Sequence, residues 1–260
     1  MLWDSLVEDR SKFITLTLPL TCTSIITPME EHAILDKETV LGRLSSEKRC
    51  GAEDQRPWQV LHFPVFRGPL LRIWDQHSGS QPGKCGRLIS RDPHTVLDTH
   101  HARRTSLSRH LRHSDPTPGP YISFTSSPAE IEALARMRSK RGRGPQVLTL
   151  IDPNRRASYG LPTLAVVPEM KHFRIPTPYG EAEVFYKNHY VCLWQVTKPE
   201  IVGHWDWNEL KKTDDWYYEI IKPAFARFTA AYASTSSFLG QAKVVNEMSW
   251  NMDGQLCKIT

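Results

Sequence analysis

Gly180-Glu181-Ala182-Glu183-Val184-Phe185-Tyr186 is the stretch on which the reading of the fold turns, because two glutamates two residues apart lead into a run, 184–196, that reads as a buried strand or as a hairpin bent around Asn188. Side chains alternate between faces along an extended chain, so Glu181 and Glu183 are expected on the same face with their carboxylates in one space. Like charges that close are costly unless something cationic lies between them or one of them is neutral. Such pairs suit sites that stabilise a developing positive charge, for example the oxocarbenium formed when a glycosidic bond breaks. The plain alternative is the solvated face of an edge strand.

Upstream of the glutamates the chain reads as short strands broken by turn residues. Leu70-Leu71-Arg72-Ile73-Trp74 follows Gly68-Pro69 and reads as a strand with an arginine inside it. Tyr121-Ile122-Ser123-Phe124-Thr125 alternates as a strand does and runs into Ser126-Ser127-Pro128, which reads as a helix start: a serine cap, proline in the first turn, and Glu130 and Glu132 near the positive end of the dipole. Ile131, Leu134 and Ala135 mark the apolar face of that helix, which is expected to stop before Gly142. Residues 147–151 read as another strand and 164–167 as a short apolar run. A short helix is expected over 37–44 and a second over 98–112, where His101, Thr105, Ser108 and Arg112 mark only a polar face. From Trp205 the pattern turns helical. The strands do not alternate with long helices, which disfavours a doubly wound parallel sheet, and neither G-x-G-x-x-G nor G-x-x-x-x-G-K-[ST] occurs.

The 260 residues are 40% apolar, enough for a real core, while 19 prolines and 14 glycines point to many loops. Cys22, Cys50, Cys85, Cys192 and Cys257 are scattered and odd in number, with no C-x-x-C pair. That speaks against a zinc site and a disulfide framework and for a reducing compartment. No run of 18 apolar residues exists to span a membrane. Residues 13–27 are moderately apolar but lack the flanks of a signal peptide, so a cytoplasmic location is expected over secretion. Between Lys84 and Arg143 there are 12 Lys or Arg against five Asp or Glu. That excess, with His94, His100, His101, His110 and His113 interspersed, reads as a solvated basic surface, with nucleic acid or an acidic partner as the alternative; no metal site is expected from these histidines.

Taken in order, the arginine strand, the aromatic-x-serine strand and the Glu-x-Glu segment resemble the ADP-ribosyltransferases of the arginine-serine-glutamate class, which include cholera-like toxins and arginine-specific transferases. The resemblance covers roughly residues 63–200 and rests on Arg72, on Tyr121-Ile122-Ser123-Phe124-Thr125-Ser126, and on Glu181-Ala182-Glu183-Val184 with Tyr190-Val191 beyond it. It implies an α+β fold with two small packed mixed β-sheets around an NAD cleft and flanking helices. NAD is then a substrate, a protein arginine the acceptor, and nicotinamide the product. Arg72, Ser123, Thr125 and Ser126 are the implied NAD-binding residues. Glu183 is implied to stabilise the oxocarbenium and Glu181 to serve the acceptor. Phe124 interrupts the serine motif where the class runs Ser-Thr-Ser, which leaves open which hydroxyl faces NAD and whether the domain is active or a catalytically inactive interaction module. A closer literal match, Tyr232-Ala233-Ser234-Thr235-Ser236, lies after the glutamates and reads as a helix end. The expected organisation is an N-terminal extension over 1–58, partly disordered, the transferase-like domain over 59–204, and a helical segment over 205–260 packed on it.

Overall fold

The computed structural model describes residues 34–45, 52–58, 65–83, 85–112, 115–178, 183–232, 248–250 and 256–258. Glu181, the apolar segment 13–27 and the serine string 233–236 lie outside the described residues.

The elements are α1 (Lys37–Leu44), α2 (Ala52–Gln55), β1 (Leu70–Asp75), β2 (Leu88–Ile89), α3 (His100–Leu111), β3 (Tyr121–Thr125), α4 (Pro128–Lys140) and β4 (Gln146–Ile151). There follow α5 (Pro153–Ser158), β5 (Thr163–Ala165), α6 (Val166–His172), β6 (His189–Leu193), β7 (Gln195–Val196), β8 (Ile201–Asp206) and α7 (Trp207–Leu210), then β9 (Met248–Trp250) and β10 (Leu256–Lys258). The class is mixed α+β. Its centre is one six-stranded sheet, ordered β5-β6-β3-β1-β4-β8. Every neighbouring pair in it is antiparallel, whereas the resemblance implied two small mixed sheets. Two further pairs, β2 with β7 and β9 with β10, stand apart from it.

The central sheet has a weak seam. β1 registers with β4 along its whole length, from Leu70 opposite Ile151 to Asp75 opposite Gln146. With β3 it registers only at Leu71 opposite Thr125. The sheet is therefore two three-stranded halves, β5-β6-β3 and β1-β4-β8, joined at one end. β8 was hidden in the sequence because Gly203 and His204 interrupt its apolar pattern.

Residues opposite one another across antiparallel strands share a face, so the register sorts the core. On one face of the β1-β4-β8 half, Leu71, Ile73, Leu148 and Leu150 pack with Ile131 and Ala135 of α4 and with Trp207, Leu210 and Trp216. On the same face of the other half, Tyr121, Val191 and Leu193 pack with Val40 and Leu44 of α1, Leu107 of α3 and Met170 of α6. The reverse face buries Leu70, Ile122, Phe124 and Cys192 against Leu88 of β2 and Val196 of β7. β7 can reach β2 because Trp194, at φ +59, turns the chain out of β6. That conformation is unfavourable for a residue with a Cβ; it is held by the indole Nε1–H donating to the Thr95 carbonyl at 2.8 Å and by complete burial.

Helix ends follow local chemistry. Ser127 caps α4 by accepting from the Glu130 N–H, Pro128 occupies its first turn, and Gly142, at φ +63, follows its end. Beyond Trp216 the chain widens into a π-turn over Tyr217–Ile221 before helix continues over 222–232, and the Lys222 N–H bonds the Tyr217 carbonyl five residues back. Pro223 follows directly and lacks an N–H, so an ordinary α-turn there would leave a carbonyl unbonded.

Two buried arginines tie these layers together. Arg103 of α3 donates to the carbonyls of Leu97, Arg56 and Leu44 and to the Glu53 carboxylate, and lies over the Trp58 ring at 4.3 Å. Arg156 of α5 donates to the carbonyls of Pro162, Gln195 and Leu193 and pairs with Glu200 at 2.7 Å, both side chains fully buried. The stretch 34–58, read as part of an extension, thus supplies Leu35, Val40, Leu44 and Trp58 to the same core as Leu107 and Val191.

Candidate functional site

On the face carrying Tyr121, Ser123 and Thr125, the two core clusters leave a gap. β3 is buried at every position except Ser123, which is exposed between them. Ser123 and Thr125 share this face, as alternation predicts. Arg72 does not: it is next to Leu71 on β1, so its side chain leaves from the reverse face.

The Arg72 guanidinium nevertheless serves β3. Its Nη1 donates to the Ser123 carbonyl at 3.0 Å and its Nη2 to the Ser80 carbonyl at 3.0 Å, filling the seam where β1 and β3 no longer bond each other. Burial, and next the neighbouring Arg138, lower its pKa to about 10. Arg72 is therefore a positioning residue for Ser123, with both its terminal nitrogens bonded to backbone.

Around the gap stand side chains from α3, α4 and β6. His110 Nε2 lies 2.8 Å from Ser123 Oγ, and the His110 ring packs on Tyr121 with centroids 5.0 Å apart. One step along β3, the Thr125 hydroxyl donates to Glu130 Oε2 at 2.5 Å while its oxygen accepts from the Ser127 N–H. Glu130 Oε1 accepts from the Asn188 side-chain amide at 2.9 Å, and Oε2 lies 3.1 Å from His189 Nε2. His189 is directly opposite Thr125 across the β3–β6 ladder. Burial pushes the Glu130 carboxyl up, but the bonds from His189, Thr125 and Asn188 outweigh that and hold it below the ordinary carboxylate range. The gap is thus lined by a hydroxyl with an imidazole against it and by a carboxylate kept anionic.

Ser126 does not join this group through its side chain; its N–H bonds the Asn188 carbonyl at 3.0 Å. Glu183 lies on a 3-10 turn, Glu183–Tyr186, rather than on a strand. β6 starts only at His189, because the chain turns at 187–188 first, so Glu183 does not belong to that strand.

His110, Glu130, Asn188 and His189 are the site residues that sequence reasoning passed over. Glu130 read as a dipole charge and His110 as one of several basic-segment histidines. Only the register of β3 with β6, and α3 lying beside β3, bring them together.

The basic segment is also corrected in part. Arg138 and Arg143 do not form a solvated surface: both pair with Asp75, at 2.5 Å and 2.9 Å, and the Asp75 carboxylate is fully buried. Among the described residues no cluster of three metal-ligating side chains occurs, and no helix is long and apolar enough to cross a membrane.

No curated protein matches the chain. Residues 67–210, which span β1 to α7 and more than half of the 260 residues, match the family described as a domain of unknown function, DUF7587, and the chain belongs to that family.

Proposed function

We propose that this protein is a mono-ADP-ribosyltransferase that binds NAD at the Ser123 gap and transfers ADP-ribose to an arginine-type side chain of a protein acceptor. The observation that carries the reading is the Arg72–Ser123 bond: the arginine and serine motifs, far apart in sequence, meet at the seam, with the serine hydroxyl facing outward. The ADP-ribosyltransferase fold belongs to the same proposal, supported by the division of the sheet into two halves at that seam.

The donor set fits the ligand. Ser123 and His110 can bond ribose hydroxyls, and an anionic carboxylate such as Glu130 favours the cationic nicotinamide ring and the positive charge that develops as it leaves. In the proposed step the C–N glycosidic bond breaks with its electron pair going to nicotinamide. A guanidinium nitrogen of the acceptor forms the new C–N bond, and its proton passes to a carboxylate. Glu183 is assigned to the oxocarbenium and Glu181 to the acceptor, with Thr125 holding Glu130 in place.

A second reading is a catalytically inactive interaction domain of the same architecture. It is favoured by the position of Glu183 on a turn and by the three partners that already occupy Glu130.

The test is nicotinamide release from NAD by the full chain, with and without an arginine analogue. Release that rises with the analogue is expected. Glu183→Gln should reduce both hydrolysis and transfer by about 10²-fold, whereas Glu181→Gln should reduce transfer and leave slow hydrolysis. NAD binding without release selects the inactive reading, and absence of NAD binding removes the transferase.

A further inference from the structure

α3 presents a second surface, on the flank facing away from Ser123. The buried stripe of the helix is Arg103, Leu107 and Leu111, and His110 lies to one side of it. On the other side, at 100° per residue, Arg104, Ser108 and Arg112 fall in one row with Thr105 and Arg109 beside it. Together with Ile175 and Pro176, these side chains line a cavity of about 310 Å³.

The lining holds three guanidinium groups and two hydroxyls and no carboxylate. Arg104 is pre-oriented by its Nε–H, which donates to the Phe173 carbonyl at 3.0 Å and leaves its terminal nitrogens available. The side chains of Arg109 and Arg112 are exposed and make no hydrogen bond or ion pair with any described residue. Asp115 is the carboxylate that feels their field, and its pKa is lowered first by Thr117 and then by these arginines. Thr105 Oγ1 lies 3.5 Å from His101 Nε2. Like charges set so close repel one another unless an anion sits among them.

We propose that this cavity is an anion site for a ligand with two adjacent phosphate groups. Arg104 and Arg112 are eight residues apart, about 12 Å along a helix, so with Arg109 between them three guanidinium groups line one cavity, a positive charge that matches two adjacent phosphates better than one. Guanidinium forks pair bidentately with phosphate oxygens, and the hydroxyls of Thr105 and Ser108 supply the donors between them. The concave shape and the apolar wall of Ile175 and Pro176 fit a compact anion rather than a duplex backbone. The site does not depend on the NAD reading, since none of its residues borders Ser123.

The test is calorimetric titration of the full chain with inorganic pyrophosphate and with adenosine diphosphate, with sulfate as the control at the same ionic strength. Binding of either diphosphate in preference to sulfate is expected, weakened about tenfold or more in Arg109→Gln/Arg112→Gln. Tighter binding of pyrophosphate would assign the site to the free anion, and tighter binding of the nucleotide would assign it to a nucleoside diphosphate. Both groups are exposed and bond no described residue through their side chains, so the double variant should melt as the parent does. Equal affinity for sulfate, unchanged affinity in the double variant, or retention by an RNA duplex that pyrophosphate does not displace overturns the proposal.

Discussion

Asp75 shows how one side chain changes the meaning of a charged segment. Its carboxylate is fully buried, and Arg138 and Arg143 reach it from the end of α4 and the turn that follows. Removing Arg138 leaves the buried Asp75 with Arg143 alone, a loss of about 1–3 kcal/mol, whereas an exposed arginine contributes little. Arg138→Gln should therefore lower the urea midpoint clearly, and Arg141→Gln, at an exposed position in the same segment, should leave it nearly unchanged. Equal effects of the two would remove the role given to Asp75. Glu130 makes a prediction in pH. Its folded pKa lies below the ordinary 4.5, so it binds its proton more readily in the unfolded chain. Its contribution to stability is then complete above about pH 5 and is lost as the pH falls through the lowered folded value. The stability gap between the parent and Glu130→Gln should accordingly shrink on acidification from pH 6 to pH 3.5, measured by denaturant unfolding at each pH. A gap independent of pH would mean that the carboxylate is not held by His189, Thr125 and Asn188.

Among elements, the seam between β1 and β3 matters most, because it exposes Ser123. Arg72 holds it closed with two carbonyl bonds that one lysine ammonium cannot reproduce with the same planar geometry. Arg72→Lys is expected to cost about 1–3 kcal/mol, with faster amide exchange near Ser80 and Ser123 than in β4. Exchange that rises equally in β4 would show general loosening instead. The termini of α4 could be read directly, since Ser127, Pro128 and Gly142 act through their own backbone geometry. Helix α1 over 37–44 and strand β3 over 121–125 were legible for the same reason: cap and alternation are local. The 3-10 turn at Glu183 and the strand at 201–206 were not. Apolar run and turn residues there are compatible with several conformations, and the choice was made by pairing with β3 and β4.

For the molecule as a whole, the matched region 67–210 is not the whole packing unit. Arg103 is completely buried only because Leu44, Glu53, Arg56 and Trp58 surround it, all of them upstream of that region. A fragment limited to 67–210 should melt well below the full chain and bind a hydrophobic dye, since it exposes the core face that Val40, Leu44 and Trp58 cover. An unchanged melting temperature would make that packing energetically idle. What the sequence determined by itself was the order of the strand and helix segments around Arg72 and Ser123 and the shared face of Ser123 and Thr125, both set by short-range alternation and capping, while the α+β class was implied by the resemblance those segments carry. Only the tertiary structure decided that Arg72 donates to the backbone carbonyls of Ser123 and Ser80, that Glu130 and His189 stand beside Thr125, and that Arg138 and Arg143 turn inward. Most of these contacts join residues tens of positions apart, such as Arg72 with Ser123 and Arg138 with Asp75, where burial and charge pairing, not local propensity, select the partner.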